Sequence, residues 1–175
     1  MKVKLIAVAA VVLIAVASGG YAIASGMFSP AKGTAAVYIK DPPPAGWSAI
    51  DVTITGISIH NSTSGWHFVQ VPKSGISVDL VNVVVTPELL GSITLPPGHY
   101  QMIRLNLSGT VSGTYQGATY TIKLVSTTVF IAGQFTITKG STTSITLDFD
   151  SAQSIHGSPS TGFTMTPVVG ETAGK

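Results

Sequence analysis

Serine is one residue type in this sequence that could act as a catalytic nucleophile. A serine hydrolase holds its nucleophile on a sharp turn within a Gly-x-Ser-x-Gly string and places a base within hydrogen-bonding reach. The nearest string is Gly109-Thr110-Val111-Ser112-Gly113, in which two residues separate the first glycine from the serine, and it lies in a β pattern. We therefore expect an ordinary turn serine and a protein that is not an enzyme.

Histidine is the residue type most able to bind a transition metal here. His60 and His67 flank a predicted turn over residues 61–65, and a hairpin would place their strands side by side. Two imidazoles and a third ligand can bind zinc or copper. The sequence contains no His-x-His or His-x-x-x-His pair, and histidines beside turns are usually solvated. His60 and His67 are therefore candidates, but no metal ion is predicted.

Two aspartates, Asp148 and Asp150, lie two residues apart on the polar side of a predicted strand. They could share a hard cation such as calcium, which needs several further oxygen ligands. The alternative is a strand-end pair that accepts backbone hydrogen bonds from the following turn, extended by Ser151 and Ser154. We favour this alternative, and the sequence predicts neither a metal ion nor a cofactor.

Aromatic side chains could form a platform for carbohydrate. Trp47 follows Pro-Ala-Gly in a predicted loop, and it is the better candidate for an exposed contact. Trp66 and Tyr100 occupy predicted strand positions, where packing in the core is the default. For all three side chains we expect core or corner packing.

Two sequences fit the acceptor for N-glycosylation, Asn61-Ser62-Thr63 and Asn106-Leu107-Ser108. Asn61 lies in a predicted turn, and we expect it to be the more accessible of the two. Asn106 shares the polar side of its strand with Arg104 and is the second candidate.

The composition excludes several classes of protein. Of the 175 residues, 9% are charged and 45% are hydrophobic, and there is no cysteine. Nucleic-acid binders depend on many Lys and Arg side chains, and disulfide frameworks depend on cysteine. The hydrophobic fraction is sufficient for a folded core. The sequence therefore predicts a folded domain that does not bind nucleic acid.

Residues 1–24 have the pattern of a secretory signal. Lys2 and Lys4 form a short basic start, an apolar helical run follows over Leu5–Ala17, and small residues precede an expected cleavage after Ala24. The alternative is an uncleaved membrane anchor, since roughly 20 apolar residues can cross a bilayer. In both cases we expect the remaining chain to be secreted or to lie on the extracellular face of the cell membrane.

Beyond the signal, apolar and polar residues alternate with the period of two that is typical of half-buried strands. The apolar positions are even-numbered in Ile50–Ile54 and odd-numbered after Gly56, which predicts a β-bulge at that glycine. The pattern predicts an antiparallel Greek-key β-sandwich of about seven to nine strands over residues 34–169. A flexible linker over residues 25–33 would precede it, and a flexible tail over residues 170–175 would follow.

One helical turn is predicted between Thr86 and Gly91. Thr86 can cap the turn, Pro87 suits the first helical position, and Glu88 complements the helix dipole. Gly91 would end the turn.

Several short motifs follow one another along the predicted domain. They are Tyr38-Ile39-Lys40-Asp41-Pro42, Ile50 to His60, Trp66, Val78-Asp79-Leu80, Leu95-Pro96-Pro97-Gly98-His99-Tyr100 with Met102-Ile103-Arg104-Leu105, Leu147-Asp148-Phe149-Asp150-Ser151, Ser154-Ile155 and Pro167-Val168. Their order over Gly33 to Val169 resembles a secreted microbial family known as domain of unknown function 4382. The resemblance implies a sandwich similar to the prealbumin-like and carboxypeptidase regulatory-like domains, displayed outside the cell, and it implies no catalytic residues.

Two functions of different classes fit these observations. The first is a non-enzymatic module, secreted or on the cell surface, that serves in adhesion, envelope structure or ligand binding. The second is a subunit of an extracellular filament, because an extended segment of one copy can complete the edge strand of another. The donor would be Met27–Ile39, unless that segment forms the first strand of its own sandwich. The expected partners are other copies of the chain or other cell-surface components, with membrane contact only through residues 1–24.

Overall fold

The computed structural model describes residues 31–42 and 44–174. The predicted signal or anchor, its cleavage at Ala24 and most of the predicted linker lie outside the described residues. The all-β class is confirmed, and the described residues form thirteen strands, more than the predicted range of about seven to nine. The strands are β1 (Gly33–Lys40), β2 (Trp47–Asn61), β3 (Gly65–Val69), β4 (Ile76–Asp79), β5 (Glu88–Leu95), β6 (Gly98–Leu107), β7 (Thr110–Tyr115), β8 (Ala118–Leu124), β9 (Thr128–Ile137), β10 (Thr142–Phe149), β11 (Ile155–Ser158), β12 (Gly162–Met165) and β13 (Val169–Gly174).

The strands form two sheets that share one hydrophobic core. Sheet A has four strands in the order β13–β10–β1–β5. Sheet B has nine strands in the order β11–β12–β8–β7–β2–β6–β9, and β3 and β4 also pair with β2. Buried side chains of both sheets belong to the same core, including Ile39 and Leu147 of sheet A and Ile57 and Leu105 of sheet B.

The predicted antiparallel arrangement is wrong for two strand pairs, so both sheets are mixed. Strand β1 runs parallel to β10, with Val37 opposite Ile145, and β12 runs parallel to β8. Parallel neighbours need long connections, and most of the domain lies between β1 and β10. The alternation of apolar and polar residues tells which face of a strand is buried. It carries no information about the direction of the neighbouring strand.

Strand β2 organises sheet B because its 15 residues are long enough to pair with four other strands. Its first half pairs with β7 and β4, and its second half pairs with β6 and β3. The apolar residues of Ile50–Ile54 are buried, the β2–β6 register shifts just before Gly56, and Ile57 and Ile59 are buried beyond it. The predicted β-bulge is confirmed. It determines which side chains of the second half point away from the core.

The predicted helical turn between Thr86 and Gly91 is wrong. Glu88–Leu95 is strand β5, which pairs antiparallel with β1 and places Leu89 opposite Tyr38. A single helical turn fixes several backbone dihedrals for one hydrogen bond, so an isolated turn is costly. Pairing with β1 supplies a whole ladder of hydrogen bonds to the same residues.

The chain end also differs from the expectation. Residues 170–174, predicted as part of a flexible tail, belong to β13, where Thr172 lies opposite Thr146 of β10. Glycine, alanine and glutamate have low β propensity, so the sequence gives little indication of a strand here. The backbone pairing with β10 therefore determines their conformation.

The described helices are short. A 3-10 turn spans Leu80–Asn82 and one α-helical turn, α1, spans Ser151–Ser154. Within the part of the chain that the structure describes, no helix is long and apolar enough to cross a membrane.

Candidate functional site

The outward-facing surface of sheet B has a row of side chains that crosses four adjacent strands. Phe68 of β3 lies opposite Ser58 of β2, Ser58 lies opposite Arg104 of β6, and Arg104 lies opposite Phe130 of β9. Directly paired residues project from the same face of a sheet. Their strand neighbours, such as Ile103, are buried in the core, so this row points away from the core.

A second row lies one pleat further along the same strands. Trp66, His60, Met102 and Ala132 are paired in succession across β3, β2, β6 and β9. The rings of His60 and Trp66 lie 4.8 Å apart between centroids, and the rings of Trp66 and Phe130 lie 6.4 Å apart. The two rows therefore place aromatic side chains within reach of one another.

We call Trp66, Phe68, Phe130, His60 and Arg104 together the outer aromatic face. Phe68 is 66% exposed and Phe130 is 61% exposed. Single exposed apolar side chains are common on proteins, whereas a cluster of them marks a surface that contacts another molecule. Aromatic residues and Arg are also the types that are enriched in binding interfaces.

Arg104 is held in place at the centre of this face. Its guanidinium carbon lies 4.7 Å from the ring centroid of Trp66 and 5.9 Å from that of Phe68. Its Nη2 atom donates a hydrogen bond to the Ser58 hydroxyl at 3.2 Å. A cation over an aromatic ring is stabilised by about 0.5–2 kcal/mol, depending on exposure to water. The guanidinium is therefore held in position by contacts within the protein.

The charge of Arg104 is not neutralised by the protein. In residues 31–42 and 44–174 the observed salt bridge joins Lys40 and Asp148, and Arg104 has no acidic partner. Its Nε atom is buried and has no hydrogen-bond partner. An Arg side chain remains charged at any ordinary pH, so the outer aromatic face contains an uncompensated positive charge.

A polar hollow of about 420 Å³ lies beside the turns that connect β2 to β3 and β5 to β6. The hollow begins next to the second row, because the pair Asn61–Gly65 follows the pair His60–Trp66. Gln101 donates a hydrogen bond to the Ser62 hydroxyl across it, at 3.4 Å. The hollow supplies hydroxyl and amide groups at one end of the outer aromatic face. It is lined by Asn61, Ser62, Thr63, Ser64, Pro96, Pro97, Gly98, His99 and Gln101.

The predicted β2–β3 hairpin is present, but it does not bring the two candidate histidines together. His60 is opposite Trp66 on the outer face, while His67 is opposite the buried Ile59 and packs edge-on against Tyr100. The two imidazoles thus lie on opposite faces of the sheet. Among the described residues, no group of three or more His, Asp or Glu side chains is arranged to hold a metal ion.

The two candidate aspartates of β10 have separate partners. Asp148 forms an ion pair with Lys40 at 2.9 Å. Asp150 caps helix α1, because its carboxylate accepts hydrogen bonds from both the backbone and side-chain amides of Gln153. The hydroxyl of Ser154 donates to the Asp150 carbonyl oxygen. The favoured interpretation, a strand-end carboxylate that accepts hydrogen bonds from the following turn, describes Asp150 well.

The prediction that Asn61 is the more accessible glycosylation candidate is wrong, because Asn106 is the more exposed of the two. Asn61 is buried, its amide nitrogen donates to the His99 carbonyl, and its amide oxygen accepts the backbone N–H groups of Thr63 and Ser64. Asn106 is half-buried on the outward-facing surface of sheet B. A side chain in a turn is usually exposed, but the Asn61 side chain is not, because it accepts the hydrogen bonds that hold this turn.

Core or corner packing was expected for both tryptophans, and the structure agrees with this for Trp47 but not for Trp66. Trp47 packs against the core, with its ring 4.9 Å from Phe163 and 5.2 Å from Tyr115. Tyr100 is buried, as predicted. Trp66, expected in the core, lies on the outer aromatic face. The signal that could have found this face was the pair Trp66 and Phe68, two residues apart, but its neighbours Arg104 and Phe130 are far away in sequence.

The fold and the surface of sheet B together define the class of this protein. Over its described residues the chain forms an all-β domain of two mixed sheets, with an exposed aromatic and cationic surface on the larger sheet. It belongs to the family described as Domain of unknown function (DUF4382), which it matches over residues 32–167. The resemblance seen in the order of its sequence motifs is thereby confirmed. No curated protein and no solved structure matches the chain.

Proposed function

We propose that this protein is a non-enzymatic module, secreted or displayed on the cell surface, that binds an extracellular ligand through the outer aromatic face. The observation that carries the proposal is the exposure of Phe68 and Phe130 on either side of Arg104. The signal pattern of residues 1–24 supports the location. Rigid strands, rather than loops, hold the face, so little ordering of the protein is required on binding.

The exposed rings of Phe68 and Phe130 supply part of the free energy of binding. Fully covering one exposed phenylalanine side chain contributes about 1.5–3 kcal/mol. Because Phe68 is 66% exposed and Phe130 is 61% exposed, covering both offers about 2–4 kcal/mol. The loss of freedom on association costs at least about 4 kcal/mol, so further contacts are required. The exposed aromatic side chains suit a ligand with apolar ring faces, and the adjacent hollow suits its hydroxyl groups.

The proposal is tested with envelope material from cells that produce the protein. Purified mature chain is mixed with this material and sedimented, and the bound fraction is measured for the parent and for the double variant Phe68→Ser, Phe130→Ser. We expect the double variant to bind at least about tenfold more weakly, because it loses both exposed rings. The control is Val125→Ser, which removes an apolar side chain that is 63% exposed outside the face. Equal binding by all three proteins would contradict the proposal.

A filament subunit is the second candidate. Strand β5 is an edge strand of sheet A, and it has exposed apolar side chains at and near its start: Val84, Val85 and Leu89. Exposed apolar edges favour pairing with another strand. Segment Ala35–Ile39 of the suggested donor lies within β1, between β5 and β10 of its own chain. In this case light scattering of the mature protein would show growth with concentration, and Leu89→Lys would abolish it.

A further inference from the structure

The chemistry of the outer aromatic face indicates the kind of ligand it binds. Building on the proposed function, we infer that the ligand is an acidic polysaccharide, with the carboxylate of a uronic acid unit bound to Arg104 and the adjacent sugar rings lying on the exposed aromatic side chains. Three features of the face favour this ligand: the geometry of Arg104, the charge around it and the dimensions of the face.

The geometry of Arg104 suits a carboxylate. Ser58 accepts one hydrogen bond from Nη2, and Trp66 supports the planar guanidinium from one side. The other N–H groups of the terminal nitrogens are left for a ligand. A guanidinium presents parallel N–H groups that match the two oxygens of a carboxylate. Because the side chain is already held, little conformational entropy is lost when the ligand binds.

The charge around Arg104 favours an anion over a neutral ligand. The acidic residues of β2 and β4, Asp51 and Asp79, are opposite each other at the far end of β2. Asp51 lies seven residues before Ser58, which corresponds to roughly 23 Å along an extended strand. At physiological ionic strength this exceeds the distance of about 8 Å over which charges are screened. The positive charge of Arg104 is therefore free to attract a ligand carboxylate.

The dimensions of the face suit a chain of sugar units. The row from Phe68 to Phe130 crosses three strand intervals, each about 4.8 Å, so the backbones at its two ends lie about 14 Å apart. The rings above them come closer, since the centroids of Trp66 and Phe130 are 6.4 Å apart. One sugar ring can therefore contact more than one of these aromatic side chains. The hollow beside Ser62 and Gln101 offers polar groups to the hydroxyls of the next unit.

The experiment measures binding by isothermal titration calorimetry, with purified mature chain and two acidic polysaccharides, polygalacturonate and hyaluronan. Each is compared with its carboxyl-reduced form, which keeps the sugar chain but lacks the charge. We expect the acidic forms to bind at least about tenfold more tightly than the reduced forms, the range expected for a charged hydrogen bond. Arg104→Gln should abolish this preference.

The matched control is Lys123→Gln, which removes one positive charge from an exposed position on β8 of the same sheet. It should keep the preference for the acidic forms, because Lys123 lies outside the face. Thermal unfolding of each variant checks that the fold is intact. Arg104→Lys is a second test, since a lysine retains the charge but not the parallel N–H groups, and it should recover less than half of the lost binding energy.

Three results would overturn the inference, and they differ in what they imply for the proposed function. Equal binding of acidic and reduced forms would leave the aromatic face as a binding surface but remove the role of the carboxylate. Binding to neither acidic polysaccharide would reject this ligand class, while the sedimentation test with envelope material decides the proposed function separately. A stable dimer that Phe68→Ser dissociates would assign the face to a second copy of the chain.

Discussion

We expect this protein to be more stable in acid than at neutral pH, because the carboxyl group of Asp41 is buried. The side chain is 1% exposed at the end of β1. One carboxylate oxygen accepts the backbone N–H of Ser151 at 3.1 Å, and the other has no hydrogen-bond partner. Burial raises the pKa of Asp41 from 3.8 to about 6, the Ser151 hydrogen bond opposes this rise, and the nearby charges of Asp150 and Asp148 add to it.

The direction of the effect follows from proton binding. Between about pH 4 and pH 6, the folded protein holds a proton on Asp41 that the unfolded chain has released. Stability from this group is therefore complete below the unfolded pKa and is lost as the pH rises through the folded pKa. A pKa difference of about two corresponds to about 3 kcal/mol, at about 1.4 kcal/mol for each pKa unit. Burial also raises the pKa values of Asp51 and Glu171, so their contributions have the same sign.

The test is chemical denaturation from pH 3 to pH 8 of the parent protein and of Asp41→Asn. The asparagine can still accept the Ser151 N–H but has no charge to bury. We expect the two proteins to have similar free energies of unfolding near pH 3. At pH 8 the variant should be more stable, by up to about 3 kcal/mol.

The control for this prediction is Glu88→Gln, which removes an exposed carboxylate at the start of β5. Its free energy of unfolding should stay within about 0.5 kcal/mol of that of the parent protein at every pH, as is usual for surface substitutions. A parent protein that becomes more stable between pH 4 and pH 6 would contradict this prediction. So would an Asp41→Asn variant that keeps the full pH dependence of the parent.

Two further predictions concern the backbone and the sequons. Gly157 has a φ of 113°, and an added Cβ would clash with the Gly162 carbonyl oxygen. Gly157→Ala should therefore lower the free energy of unfolding by at least about 2 kcal/mol in a denaturant titration. Gly109→Ala, where a Cβ meets open space, should change it by less than about 1 kcal/mol, and equal losses would reject the argument. In a glycosylating host, peptide mass spectrometry should find sugar on Asn106 and not on Asn61, whose amide is hydrogen-bonded within the fold; sugar on Asn61 alone would contradict this.

The sequence predicts the strands of this fold better than their arrangement. Alternation identified the buried face of β2, and the change of parity at Gly56 located the bulge. These features depend on residues that are close in sequence. The parallel pairing of β1 with β10 depends on a contact across nearly the whole domain, which no local pattern records.

The outer aromatic face was not predictable for the same reason. Trp66 and Phe68 are visible as an aromatic pair on one strand, but only the register of β3, β2, β6 and β9 brings Arg104 and Phe130 beside them. A tryptophan in a strand is usually in the core. On β3 the side chains of His67 and Val69 face the core. Because side chains alternate along a strand, Trp66 faces outward.

If the proposal is correct, a ligand covers the outer aromatic face where the protein works. Hydroxyl-radical footprinting measures this coverage, by comparing the protein in native cell material with the purified protein and locating the modified residues by mass spectrometry. We predict that Phe68 and Phe130 are modified several-fold more slowly in the native material, while Val125, which is 63% exposed outside the face, reacts equally in both. Equal modification of Phe68 and Phe130 in the two samples would show that nothing covers the face.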